Sequence, residues 1–174
     1  MAEFVAFDPN VEVSGRVLKA WIAGTEHKVI PYLEAHEIFH VQPEAWYPKQ
    51  PALNALRKFG QVSSLFNAGL MIPQHAEFPP NIDDLETAVN LLDQAYHMNH
   101  RSGEIGHYIV KAINERSIVM VCENPYPCEF DFGLLHVLAQ RFKPEGVEKI
   151  EVNHDPDEPC RKTGGDSCTY HIVW

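Results

Sequence analysis

The chain has no excess of positive charge. Its 14 Lys and Arg face 24 Asp and Glu, a formal net charge of −10 at pH 7, so it carries no electrostatic footprint for a phosphate backbone or an anionic membrane. Direct nucleic-acid binding is not expected. The sequence also lacks any run of the roughly 18–20 apolar residues that a spanning helix needs. Its first residues, MAEFVAFDPN, have neither the basic start nor the apolar stretch of a signal peptide. The expectation is a cytoplasmic chain without membrane contact. Signatures of common enzyme chemistries are missing as well: there is no phosphate-binding Gly loop, no HExxH, no GxSxG and no protease-like Cys/His pair. No catalytic residue is therefore expected.

Cysteine is scarce and unevenly placed. The first 121 residues have none, and all four fall between Cys122 and Cys168, so they belong to one structural unit. In a reducing compartment such a group points to metal or reactivity sooner than to disulfides. The chain has 174 residues, 45% of them apolar, and no repeat or low-complexity tract. That is enough to build one core, and a single domain over 1–174 is expected.

Hydrophobic spacing makes the first half helical. Val17, Leu18, Trp21 and Ile22 share one face, and Val29, Ile30 and Leu33 continue the pattern after a Thr25 N-cap, with Pro31 in the first turn. Leu53, Leu56, Phe59, Val62, Leu65 and Phe66 step by three and four after Pro51, with Gly60 a point of kinking or interruption. Leu85, Ala88, Val89, Leu92 and Ala95 or Tyr96 make one further stripe capped by Asp83 or Asp84. After Gly103 the pattern becomes β-branched. Tyr108–Ala112 and Ser117–Cys122 read as a hairpin, residues 130–142 as an amphipathic helix carrying Glu129 and Asp131 at its N-terminus, and Val147–Asn153 and Thr169–Trp174 as two closing strands. The expected class is α+β: a helical N-terminal half followed by a ββ-α-ββ antiparallel sheet unit. Trp46-Tyr47-Pro48 reads as a loop anchor.

The closing strands flank a polar loop, HDPDEPCRKTGGDS, with Cys160 and Cys168 at its ends and Cys128 at the start of the intervening helix. Brought together, three thiolates and a fourth donor, Asp157 or His154, would make a tetrahedral zinc site. Buried unligated thiols and a Cys160–Cys168 disulfide are the competing readings. Cys122, within an apolar strand, reads as core.

The runs NPYPCEFDFGLLHVLAQRF and HDPDEPCRKTGGDSCTYHIVW resemble the 4-vinyl-reductase-type domain of the superfamily that includes the heme nitric-oxide-binding domains. The matching positions are Cys128, Gly133, Asp157, Cys160, Gly164 or Gly165, Cys168 and Tyr170. The resemblance covers the last 50 or so residues specifically. It implies a dimeric, non-catalytic sensory domain with a structural zinc on Cys128, Asp157, Cys160 and Cys168, a buried pocket for a small hydrophobic or aromatic ligand, and an output protein or domain. Asp157 stands where the family more usually has Glu, which shortens the reach and leaves His154 as a substitute.

The pocket candidates are Tyr96, His100 and Tyr108, which combine apolar bodies with polar tips where the helices give way to strands. Trp21, Phe66 and Phe132 are further aromatics for a pocket wall or for core. The competing function is tetrapyrrole binding, either as a heme sensor or as a relative of the reductase. Ten histidines invite it, but the Tyr-x-Ser-x-Arg heme-propionate motif of the nitric-oxide-binding relatives is absent. Heme therefore ranks behind zinc as the expected cofactor.

Overall fold

The computed structural model describes residues 3–174. Strand β1 (Glu12–Ser14) leads into α1 (Gly15–Gly24), where the Ser14 side chain accepts the Arg16 N–H at 3.2 Å as N-cap. Val17, Leu18, Trp21 and Ile22 form the buried face of α1, as their spacing requires. Thr25 closes this helix instead of opening the next, since its hydroxyl donates to the Trp21 carbonyl at 2.8 Å. The next helix, α2 (Ile30–Glu34), begins later and has Pro31 in its first turn.

Trp46–Pro48 is a strand, β2, where a loop was expected. It pairs antiparallel with β1, and β3 (His100–Arg101) pairs with the other side of β1. The anchoring role of Trp46 survives the change, because Arg101 stacks over its ring at 4.4 Å while bonding Glu12 at 2.7 Å. Strands of two or three residues are too short to show a period of two, which is why the pattern missed them.

The helical stretch after Pro48 is interrupted at Gly60. It divides into α3 (Lys49–Gly60), α4 (Phe66–Leu70) and α5 (Ile72–His75). The single stripe expected from Leu85 onward is likewise two helices, α6 (Leu85–Asn90) and α7 (Leu92–Met98), joined at Leu91. Asp84 caps α6 by accepting the Thr87 N–H at 2.7 Å. Leu85, Ala88, Val89, Leu92, Ala95 and Tyr96 are all buried, so the stripe runs on across the break.

The second half is the expected ββ-α-ββ unit. β4 (His107–Asn114) and β5 (Ser117–Glu123) form a hairpin, α8 (Cys128–Arg141) follows, and β6 (Glu151–His154) and β7 (Cys168–Val173) complete an antiparallel sheet of order β4-β5-β7-β6. Ile118, Met120 and Cys122 alternate inward on β5 and face Ile172, Tyr170 and Cys168 on β7. Cys122 is core, fully buried. The two sheet edges are β4, with a bulge between Val110 and Ala112, and β6, four residues long.

Helices α8 and α4 touch backbone to backbone. A Cβ on Gly133 would lie 2.1 Å from the Phe66 carbonyl oxygen, and one on Gly69 would lie 2.1 Å from that of Phe130. This crossing joins the helical half to the sheet unit. No described helix is long and apolar enough to cross a membrane.

Candidate functional site

Two clusters of chemically capable side chains meet across α8. The first is aromatic. Tyr96 from α7, His100 from β3 and Tyr108 from β4 come together: their ring centroids lie 4.3 Å (Tyr96–His100) and 5.2 Å (Tyr96–Tyr108) apart. Tyr126 and Phe130 complete the group, stacked at 4.6 Å. Val17, Ile72, Phe78, Leu92 and Leu134 supply apolar walls, and the cavity between them is about 30 Å³, room for one or two waters. Of the other aromatics, Trp21 packs edge-on against Tyr126 and Phe130, while Phe66 and Phe132 pair with each other and with His136. None of these three lines the cavity.

The polar tips of this cluster are all used. His100 Nδ1 donates to the Tyr96 carbonyl at 2.8 Å and Nε2 accepts from the Tyr126 hydroxyl at 2.7 Å. Burial, helped by the nearby Lys49, holds the imidazole pKa well below its usual value, so the ring is neutral at pH 7. Lys49 is itself buried and donates to the Tyr96 hydroxyl at 2.6 Å, which in turn donates to the Ile105 carbonyl at 2.5 Å. Loss of solvation drives the Lys49 pKa down, against the pull of Asp131.

The second cluster is the cysteine group. Cys128 opens α8, and Cys160 and Cys168 bracket a turn over residues 161–163, so that Cys128 Sγ lies 3.4 Å from Cys160 Sγ and 3.1 Å from Cys168 Sγ. All four cysteines are unbridged, which removes the disulfide reading. The side chain that joins the three sulfurs is His154, on β6: one ligand atom from each of Cys128, His154, Cys160 and Cys168 falls within 4.8 Å of the others. His154 Nε2 is buried and has no hydrogen-bond partner among the described residues. Asp157, the expected fourth ligand, stands outside this group; it is exposed, and its N–H caps Asp155 at 2.9 Å. His154 shares the inward face of β6 with Val152, two residues earlier, and is paired opposite Tyr170 of β7.

A buried ion pair joins the clusters. Asp131 lies inside the protein instead of at a solvated helix end, and Arg161 grips it with one guanidinium nitrogen and the Asn124 side chain and carbonyl with another. Arg161 Nε points at Cys168 Sγ at 3.4 Å, and the Tyr108 hydroxyl donates to Asp131 at 2.6 Å. The chain Tyr108–Asp131–Arg161–Cys168 is continuous from cavity to sulfur. The hydrogen bond from Cys128, with the Arg161 charge adding to it, pulls the Cys168 thiol down to about 4 against its burial. Cys128 keeps the shared proton and is pushed up. Arg161 was not singled out from the sequence and Asp131 was read only as a helix-N-terminal charge: an arginine in a polar loop and an aspartate in a helix's first turn look solvated.

These features define an α+β fold with a helical lobe on a four-stranded sheet. It is the fold of the H-NOX proteins. An H-NOX protein from S. oneidensis in the Fe(II)NO ligation state has a TM-score of 0.66 at 18% identity, over 91% of this chain and 97% of that one. An Fe(II) unliganded H-NOX protein mutant from K. algicida gives 0.63 at 14% identity over 92% and 95%. A structure probing heme distortion in the H-NOX family gives 0.63 at 16% over 92% and 94%. No family model and no curated protein matches the sequence.

The resemblance to the heme-nitric-oxide-binding superfamily is thus supported at the level of fold, and the narrower 4-vinyl-reductase label is not. The expectation that ranked zinc ahead of heme is corrected: the structural neighbours are heme proteins. Tested against this chain's own residues, a heme meets a suitable donor and insufficient room. His100 is a neutral imidazole in an apolar pocket, the form that ligates iron. The 30 Å³ cavity, however, is far below the roughly 300–1,000 Å³ of a ligand site, and His100 Nε2 is already bonded to Tyr126. In this closed arrangement the residues do not fit a macrocycle.

Proposed function

We propose that the chain is a non-catalytic sensory domain of the heme-nitric-oxide-binding type, responding at the aromatic cluster between α7, β4 and α8. A tetrapyrrole is the ligand class favoured over a free aromatic compound. One observation carries the reading: the fold matches heme-binding H-NOX structures over nearly the full length of both chains. An output protein or domain would read occupancy of the cluster by its ligand.

The test is titration of the full chain with hemin, followed by absorbance. A Soret band distinct from that of unbound hemin, saturating at about one hemin per chain and altered by His100→Ala, is expected. If the spectrum with protein equals that of hemin alone, the tetrapyrrole reading falls.

A separate observation, the converged sulfurs with the unpartnered His154 nitrogen, supports a second proposal: Cys128, His154, Cys160 and Cys168 hold a metal cation and tie the loop to α8. Four protein ligands leave no open coordination position, so the role is structural. Elemental analysis of untagged protein is expected to find bound metal that Cys168→Ser loses. Less than about a tenth of an equivalent in the unsubstituted chain would remove the proposal.

A further inference from the structure

A third cluster lies on the partly exposed side of α7, next to the aromatic cluster but outside its cavity. Asp93 stands in the first turn of α7, His97 follows one turn later, and His107 begins β4. Asp93 is held in place by the backbone of β4, its Oδ1 accepting the Tyr108 N–H at 2.9 Å. His107 Nδ1 lies 3.3 Å from Asp93 Oδ1 and His97 Nδ1 lies 3.6 Å from Asp93 Oδ2, with the two imidazole centroids 5.1 Å apart. One ligand atom from each residue falls within 4.8 Å of the others.

His97 Nδ1 lies 2.9 Å from the Asp93 carbonyl oxygen. That bond uses the Nδ1 proton and leaves Nε2 with the lone pair, the outer-shell arrangement that metal-binding histidines share. All three side chains are partly exposed, 37–46%, so an ion reaches them from solvent. On the far side of His107 a cleft of about 380 Å³ is lined by Glu104, Glu123 and Asp166, with Glu123 directly opposite His107 in the hairpin register. Carboxylates around the mouth raise the local cation concentration in a chain that already carries −10.

We propose that Asp93, His97 and His107 form a binding site for a divalent first-row transition metal ion. Two imidazoles and one carboxylate suit nickel, cobalt or copper and disfavour magnesium and calcium, which take oxygen donors. Three protein ligands leave coordination positions to water. The ion would bridge α7 to β4, the elements that carry Tyr96 and Tyr108, so loading it holds these two rings together. The site stands on its own geometry; only this effect on the aromatic cluster rests on the proposed sensory function.

The test is calorimetric titration of the full chain with nickel chloride, paired with thermal melting. The unsubstituted protein and Cys160→Ser are expected to bind nickel alike at this site, whereas His97→Gln and His107→Gln weaken it roughly tenfold or more. Nickel should raise the melting temperature of the unsubstituted protein and leave that of His107→Gln unchanged. Both histidines are on the surface, so equal melting temperatures without nickel verify that the variants fold. Undiminished binding in His107→Gln, or binding abolished by Cys160→Ser alone, would overturn the site.

Discussion

Replacement of Arg161 by Met is expected to destabilise the domain by about 3–5 kcal/mol, the cost of leaving one member of a buried ion pair without its partner. Asp131 is fully buried and Arg161 nearly so. The guanidinium also bonds the Asn124 side chain and carbonyl, so its removal takes a donor from three acceptors at once. At roughly 2–4 °C per kcal/mol for a chain of this size, the melting temperature should fall by about 6–20 °C. The double variant Arg161→Met, Asp131→Leu tests the cause, since it removes both charges from the interior. It should recover much of the loss even though Tyr108 then lacks its acceptor, because a buried pair replaced by apolar groups is often close to neutral. A single variant that melts within about 2 °C of the parent would show that water reaches Asp131 and that the pair is not buried in solution.

Gly133→Ala is expected to have the other large effect. The added Cβ would meet the Phe66 carbonyl oxygen at 2.1 Å and its carbon at 3.0 Å, both backbone atoms that no side-chain rotation can clear. Overpacking of this kind costs about 1–3 kcal/mol and more where backbones must part. Because the reciprocal contact at Gly69 lies in the same crossing, the strain falls on the joint between the helical half and the sheet. Urea unfolding is expected to show a lowered midpoint, and Gly133→Ala combined with Gly69→Ala should unfold the domain. Gly146→Asn is the control. Gly146 has a positive φ of 76° but nothing within 4 Å of its Cβ position, so Asn, which tolerates that conformation, should cost little. Equal losses at positions 133 and 146 would show that the crossing is not tight.

Much of the architecture was legible because its signals are periodic. The inward alternation Ile118, Met120, Cys122 and the stripe from Leu85 to Tyr96 specify a buried strand and a buried helical face wherever they are placed. The break at Gly60 was marked by the glycine itself, and beyond it Val62, counted in the stripe, is exposed. The division at Leu91 was not legible, because it keeps the same residues buried and leaves no trace in the hydrophobic pattern. The cysteine convergence was readable from Cys128, Cys160 and Cys168 as a set, whereas the fourth donor was not. Whether His154 or Asp157 turns inward depends on where β6 ends, and strand ends are decided by pairing with β7, here closing at His154 opposite Tyr170. Arg161 and Lys49 were invisible for a different reason. A charged residue is taken as solvated unless its partners are known, and Asp131 and Tyr96 come from elements distant in the chain.

The edges of the four-stranded sheet bear on how this chain meets others. Strand β4 leaves Ile109 and Ile113 exposed, an invitation to pair with a neighbouring strand. The bulge between Val110 and Ala112 interrupts its ladder, and Lys111, at the bulge, reaches Glu158 at 3.4 Å. A second strand laid along this edge could not keep continuous register and would meet a lysine at its centre. At the opposite edge, β6 offers only four residues. Association by sheet extension, including the runaway kind that ends in fibrils, is discouraged at both ends.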